Sequence, residues 1–170
     1  MNAMKKILSL ALAGVMALAL LTGCGTGGSA SHKSIAKAMA DYDHSYWGQT
    51  AITYTSSPQL DAKLQSLAAD PRFEAVVKAV YKGTLTSFTI PSNSDLSGKV
   101  VYLYCGKYDK DAGKQAINLN AHYAYSSSTS TLADERQIGL ITTSFTDDTT
   151  HEKVKVRFAV VVSDKPTPTP

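Results

Sequence analysis

The spacing at which apolar side chains recur along the chain changes once, at Gly83. Before this residue, apolar side chains recur every three to four positions, which is the spacing of helices that bury one face. After it, apolar and polar side chains alternate, as they do in strands of a half-buried sheet. This switch predicts an α+β domain in which N-terminal helices pack on a sheet formed by the C-terminal half.

Three helices are predicted before the change of period. Ser34 can cap the first, which ends at Gly48. The second begins at Ser57-Pro58, because proline fits the first turn, where its missing N–H would have no helical partner. Asp70-Pro71 then interrupts this helix and begins the third. A short strand is also expected over residues 50–55.

Five strands are predicted after the change, and their short connections are typical of an antiparallel meander. The second is apolar on both sides, so we expect it in the middle of the sheet or under a helix. The N-terminal helices would cover one face. This element order resembles cystatin-like and nuclear-transport-factor-like cone folds, and that resemblance implies no function. The predicted strands are 85–90, 99–105, 115–125, 136–146 and 153–163.

Candidate ligand-binding residues lie on the second and third predicted strands. Aromatic rings exposed on a sheet can form a platform for sugars or peptides. A ligand-binding module would also point polar side chains of the third strand into a concave site. Tyr123 and Tyr125 fall on the apolar side of that strand, which favours a place in the core. The candidates are Tyr102, Tyr104, Asn118, Asn120 and His122.

A row of cations follows one side of the last predicted strand, at Lys153, Lys155 and Arg157. On a terminal strand, outward lysines prevent edge-to-edge association with other sheets. The alternative is contact with anionic headgroups or an acidic wall polymer.

Asp41, Asp43 and His44 cluster on the first helix, where a carboxylate next to a histidine can make an acid–base pair or a metal ligand set. Asp41 and His44 share one face, which is more typical of a solvated polar stripe.

No metal, cofactor or catalytic site is expected. Residues 108–113 have the acidic spacing of a calcium loop, but Gly113 occupies a position that needs an oxygen ligand. The alternative, a hydrolytic enzyme, would require His122 and His151 to meet on adjacent strands or Cys105 to act as a nucleophile. A lone cysteine in an apolar strand is more often a core residue.

The N-terminus has the pattern of an export signal. Lys5 and Lys6 precede an uncharged run over residues 7–21, which is shorter than the ~20 residues of a membrane-spanning helix. Leu21-Thr22-Gly23-Cys24 follows this run. The stretch resembles the signal and lipobox of bacterial lipoproteins. The alternatives are a plain secretory signal and an uncleaved anchor helix.

The resemblance implies cleavage between Gly23 and Cys24, acylation of Cys24, and attachment to the bilayer on the extracytoplasmic face of the cell membrane. It divides the chain into a signal peptide, a flexible tether, one α+β domain and a tail rich in proline and threonine. The corresponding ranges are 1–23, 24–33, 34–164 and 165–170.

Charge and cysteine content exclude several classes of protein. Removing Lys5 and Lys6 from 17 Lys+Arg leaves 15 cations against 14 Asp+Glu. Such a balance argues against a nucleic-acid partner. With Cys24 acylated, Cys105 has no partner for a disulfide. We therefore expect a non-catalytic module that binds an envelope polymer or protein, with a small-ligand or glycan-binding lipoprotein as the first alternative.

Overall fold

The computed structural model describes residues 29–126 and 131–165. The predicted signal, Cys24, most of the tether and the proline-rich end of the tail lie outside these residues. The described part contains four helices and six strands. The helices are α1 (His32–Trp47), α2 (Pro58–Ala68), α3 (Phe73–Tyr81) and α4 (Ala112–Leu119). The strands are β1 (Thr53–Ser56), β2 (Ser87–Phe88), β3 (Val100–Lys107), β4 (Tyr123–Ser126), β5 (Glu135–Thr146) and β6 (Lys153–Ser163).

The three helices predicted before Gly83 are present. α1 begins earlier than expected because the Ser31 side chain caps it, accepting a hydrogen bond from the N–H of Ser34 at 3.1 Å. The last residues of the predicted tether are therefore helical. Gly48 ends α1 with a φ of 69°, a conformation that glycine adopts readily. Ser57 caps α2 as expected.

The six strands form one mixed sheet in the order β1-β5-β6-β3-β4-β2. The prediction of a five-stranded antiparallel meander is therefore wrong. The four inner strands pair antiparallel, but β1 pairs parallel with β5, and β2 pairs parallel with β4. Each parallel pair joins strands far apart in the chain. Such pairs need long crossovers, which local alternation does not reveal.

The strand predicted over residues 115–125 is also wrong. Its first half belongs to helix α4, and only Tyr123–Ser126 forms a strand. Asp111 caps α4 by accepting a hydrogen bond from the N–H of Lys114 at 2.8 Å. In so short a segment, one apolar pattern fits both a helix and a strand. The side chains that α4 buries are Gln115, Ala116 and Leu119.

Helices cover both faces of the sheet rather than one. α2 and α3 pack on a face of aliphatic and aromatic side chains, here called the α2–α3 face. α1 and α4 pack on the opposite, α1–α4 face. The second layer is needed because β6 is central, and its Ala159 and Val161 would otherwise expose apolar surface to water.

The cation row of β6 does not lie on a terminal strand, because β5 and β3 flank β6. The interpretation of these residues as edge-protecting lysines is therefore wrong. Lys153 and Lys155 are exposed. Arg157, in contrast, retains only 3% exposure.

Two helices rest directly on the sheet backbone at glycines. A Cβ atom at Gly139 of β5 would lie 2.4 Å from Cβ of Leu60 on α2. A Cβ at Gly106 of β3 would lie 2.2 Å from the carbonyl oxygen of Asn118 on α4. Both distances are too short for any side chain, so glycine sets how closely each helix approaches.

Candidate functional site

A groove of about 660 Å³ opens on the α1–α4 face. It lies between the C-terminal end of α1, residues 49–52, the start of β5 and the tyrosines of β3 and β4. This volume is typical of clefts that bind small molecules. The groove occupies one end of the sheet, where Val100 of β3 pairs with Ser163 of β6. At the opposite end of the same strands, Lys107 pairs with Val156.

Tyrosines of two neighbouring strands form an array along one wall of the groove. The ring centroids of Tyr102 and Tyr104 lie 6.2 Å apart, and the Tyr123 centroid lies 5.9 Å from each of them. Tyr125 extends the array at 5.9 Å from Tyr102. The array follows from the antiparallel register, which places Tyr102 opposite Tyr125 and Tyr104 opposite Tyr123.

The array is graded from buried to exposed. Tyr104 is buried, and burial raises its pKa well above the ordinary value for tyrosine. Tyr102 is half-buried, and its pKa is also raised, mainly by burial. Tyr123 is 49% exposed. Across the groove, Trp47 is 63% exposed at the end of α1.

A buried ion pair fixes the wall opposite the array. Nη1 of Arg136 lies 3.0 Å from Oδ2 of Asp43, and both side chains are largely excluded from solvent. The Tyr54 hydroxyl donates to the same carboxylate oxygen at 2.9 Å and lies 2.7 Å from Arg136 Nη1. Burial raises the pKa of Tyr54, which keeps this donor protonated. The network joins α1, β1 and β5 into one rigid wall.

Further polar side chains complete the lining, and one of them, Asp134, carries a carboxylate. Asn120 donates its side-chain amide to the carbonyl of Ala116 at 2.9 Å, so its amide oxygen remains an acceptor. Gln49, Thr50 and Asp134 are exposed at the rim. The groove therefore combines apolar rings with hydrogen-bonding groups of both kinds.

The groove brings together Tyr102, Tyr104 and Asn120 from the predicted candidates. The other two lie elsewhere. Asn118 donates its amide to the carbonyl of Lys107 at 2.9 Å, which fastens α4 to the end of β3. His122 is exposed, with its ring centroid 6.1 Å from that of Tyr81.

The remaining predicted candidates have structural surroundings. Cys105 is fully buried on the α2–α3 face, and burial raises its pKa to about 12. His151 lies in the turn between β5 and β6, with a φ of 58°. His44 does not belong to a solvated stripe, because its Nε2 contacts the carbonyl oxygen of Ile52 at 2.7 Å. Within residues 29–126 and 131–165, no group of three or more His, Cys, Asp or Glu is placed to hold a metal ion.

Sequence reasoning missed three residues of the groove. Tyr123 was expected in the core, but it is exposed because the segment before it is helical. Trp47 gave no periodic signal at the end of α1. Arg136 did give a usable signal. It alternates with Ile138 and Leu140, so a charge on the core-facing side of β5 predicts a buried partner.

Comparison with known proteins finds no matching family model, no matching curated protein and no matching solved structure. None of the helices in the described part of the chain has the length and apolar character needed to cross a bilayer.

Proposed function

We propose that this chain is a lipoprotein of the bacterial cell envelope, held on the extracytoplasmic face of the membrane by acyl chains on Cys24. Its α+β domain is a non-catalytic binding module, and the aromatic groove is its ligand site. The ligand is an uncharged glycan of the envelope. The observation that carries this proposal is a groove with the exposed Tyr123 and half-buried Tyr102 of the tyrosine array on one side and the exposed Trp47 across from them, beside a pre-formed polar wall.

The charge of the groove argues against an anionic ligand. The Arg136 guanidinium is already neutralised by the Asp43 carboxylate at 3.0 Å, and the rim carries a second carboxylate, that of Asp134, so little attraction for an anion remains. Aromatic rings provide apolar contact area, and the amides and hydroxyls around them can match the alternating apolar and polar surface of a sugar.

The chemistry of the lining favours binding over catalysis. Among the described residues, none that lines the groove is a histidine, cysteine or serine. Its buried carboxylate, on Asp43, is bound to Arg136 and Tyr54. The lining also holds the hydroxyls of Thr50 and Thr131 and the rim carboxylate of Asp134, but among the described residues no hydrogen bond joins them as a nucleophile and its base.

Fluorescence of Trp47, the single tryptophan of the chain, measures ligand binding directly. Titration of the mature protein with cellotetraose or chitotetraose is expected to change this emission in a saturable way. Tyr123→Ala should weaken binding about tenfold, because it removes one stacking ring. Ile117→Ala is the matched control, since Ile117 is 57% exposed and does not line the groove.

No change of emission with either sugar, or equal losses from both variants, would contradict the glycan proposal. Saturable binding of an envelope protein that needs Tyr123 would instead identify the groove as a protein-interaction site.

The anchor has its own test. Cys24→Ala should abolish incorporation of labelled fatty acid and release the protein from membranes, whereas Cys105→Ala should leave both unchanged. A Cys24→Ala protein that still sediments with membranes would rule out the lipid anchor.

A further inference from the structure

The cations of this protein are divided into a paired and an unpaired population. Every lysine and arginine between residues 37 and 99 lies within ion-pair distance of a carboxylate. A second group has no carboxylate within that distance among the described residues. This group includes Lys33, Lys153 and Lys165, and five others that belong to the end of β3, the loop after it, α4 and the first half of β6: Lys107, Lys110, Lys114, Lys155 and Arg157.

Several unpaired cations surround one aromatic ring, that of Tyr108. Nζ of Lys155 lies 4.0 Å from the ring centroid, and Cζ of Arg157 lies 5.3 Å from it. The pKa of Tyr108 is lowered, first by its hydrogen bond with Ser29 and then by Lys155, Arg157 and Lys110. The lysines are exposed, so this surface presents its charge to solvent.

The chain that leads from Cys24 enters the domain at the same place. The Tyr108 hydroxyl donates to Oγ of Ser29 at 3.0 Å. Nη2 of Arg157 donates to Oγ of Ser29 at 2.9 Å and to the carbonyl of Ala30 at 3.1 Å. The N–H of Ala30 donates to the carbonyl of Lys110 at 3.0 Å. These bonds fix the point from which any tether must leave.

The distance from this point to Cys24 is short. Five peptide units separate Cys24 from Ser29, so the extended chain spans at most about 17 Å. If Cys24 is acylated, as proposed above, the surface around Ser29 therefore lies next to the phospholipid headgroups.

The local charge favours anionic lipid. Two carboxylates, Asp109 and Asp111, belong to the same loop, and each accepts a hydrogen bond from a backbone N–H. Subtracting these two from the five cations named last leaves a net of three positive charges among these seven residues. Near a membrane surface, each such cation contributes about fivefold to the binding of anionic lipid.

We propose that the tether-end surface, formed by Lys107, Tyr108, Lys110, Lys114 and Lys155, rests on anionic phospholipid headgroups. This contact orients the domain. α1 runs from the tether end to Trp47, and its 16 residues span about 24 Å. The groove then opens on the side of the domain that faces away from the membrane.

Sedimentation with vesicles tests this surface without the acyl chains. The mature chain carrying Cys24→Ser should bind vesicles of equal phosphatidylglycerol and phosphatidylcholine at low ionic strength, and bind pure phosphatidylcholine far less. The double variant Lys110→Glu/Lys155→Glu should lose at least 20-fold in affinity for the anionic vesicles. Lys165→Glu is the matched control, because Lys165 is also exposed and lies beyond Ser163 at the groove end.

Equal binding to both lipids would overturn the proposal, as would a loss from Lys165→Glu as large as that from Lys155→Glu alone. Binding to a soluble polyanion without binding to vesicles would also overturn it and would indicate an acidic wall polymer instead.

Acyl labelling of the unaltered chain separates the two proposals. Labelling at Cys24 with no preference for anionic lipid sustains the anchor and rejects the tether-end surface. Lysine-dependent vesicle binding without labelling rejects the anchor and sustains the surface.

Discussion

The two faces of the sheet bury very different side chains. The α2–α3 face is filled with aliphatic and aromatic groups, such as the edge-to-face pair of Phe73 and Phe158 at 5.2 Å. The α1–α4 face carries the buried charges of Asp43, Arg136 and Arg157. It also holds the groove.

This difference assigns separate tasks to the two faces. Buried apolar area stabilises a fold whatever its detailed arrangement, whereas a buried ion pair is weak evidence for stability and instead fixes geometry. The α1–α4 face has an aliphatic core as well, but the α2–α3 face buries more apolar residues, so we expect it to provide the larger share of the free energy of folding. The α1–α4 face gives up some of that stability to hold a shaped surface.

Truncation in the α2–α3 core should have the largest effect. Phe158→Ala removes a ring that is fully buried against Phe73, and it should lower the free energy of unfolding by about 4 kcal/mol. Urea denaturation followed by circular dichroism measures this change. A loss below about 1 kcal/mol would contradict the assignment of stability to this face.

Breaking the buried ion pair should have the next largest effect. Arg136→Met leaves the buried Asp43 carboxylate without its counter-charge, with only the Tyr54 hydroxyl as a partner, which should cost about 3 kcal/mol. Adding Asp43→Asn should recover part of this loss, because the remaining side chain is uncharged. A double variant as unstable as the sum of the two single variants would show that the pair is not coupled.

Gly139→Ala should destabilise by about 2 kcal/mol, because the new methyl group overlaps Leu60 where α2 meets the sheet. Gly113→Ala is the control, since a Cβ there would lie 3.3 Å from a side-chain oxygen of Asp111. Thermal unfolding of both variants measures the difference. Equal melting temperatures would mean that α2 can move away from β5 freely.

Alkaline pH should give the smallest change in stability per step, and one titrating group on each face contributes to it. The raised pKa values of Cys105 and Tyr104 keep both groups protonated in the native state after the unfolded chain has begun to ionise. Above pH 9 for the thiol and pH 10 for the phenol, the unfolded state therefore binds fewer protons than the native state. The free energy of unfolding then falls by roughly 1.4 kcal/mol per pH unit for each group.

Cys105→Val should remove the part of this slope that lies between pH 9 and about 12, and Tyr104→Phe the part that begins near pH 10. Urea denaturation between pH 8 and 11 measures both variants. An unchanged slope in Cys105→Val would show that the thiol does not ionise on unfolding.

Local signals predicted the parts of the fold that depend on few residues. Ser57-Pro58 and Asp70-Pro71 gave the boundaries of α2 and α3 because capping and proline act within one turn. The both-sided apolar run of β3 correctly indicated an interior strand. The parallel edges were not predictable, since β1 finds its partner 82 residues later, at Thr53 and Glu135.

The groove was predictable only in part for a similar reason. Tyr102 and Tyr104 could be predicted because they share one face of a single strand. Trp47 and Asn120 reach the same groove from separate helices, so tertiary packing alone brings them there. The anchor at Cys24 remains a prediction, since it rests on the motif and lies outside the described residues.

Because Cys105 is buried, the reaction of its thiol with a reagent can be used to detect local opening of the sheet. Its sulfur is out of reach of reagents while β3 is covered by α3, so alkylation requires that part of the sheet to separate first. If Cys24 carries acyl chains, as proposed, a thiol-reactive dye would label only molecules in which this part of the sheet has opened. The rate of labelling would then measure the rate of local unfolding without denaturant.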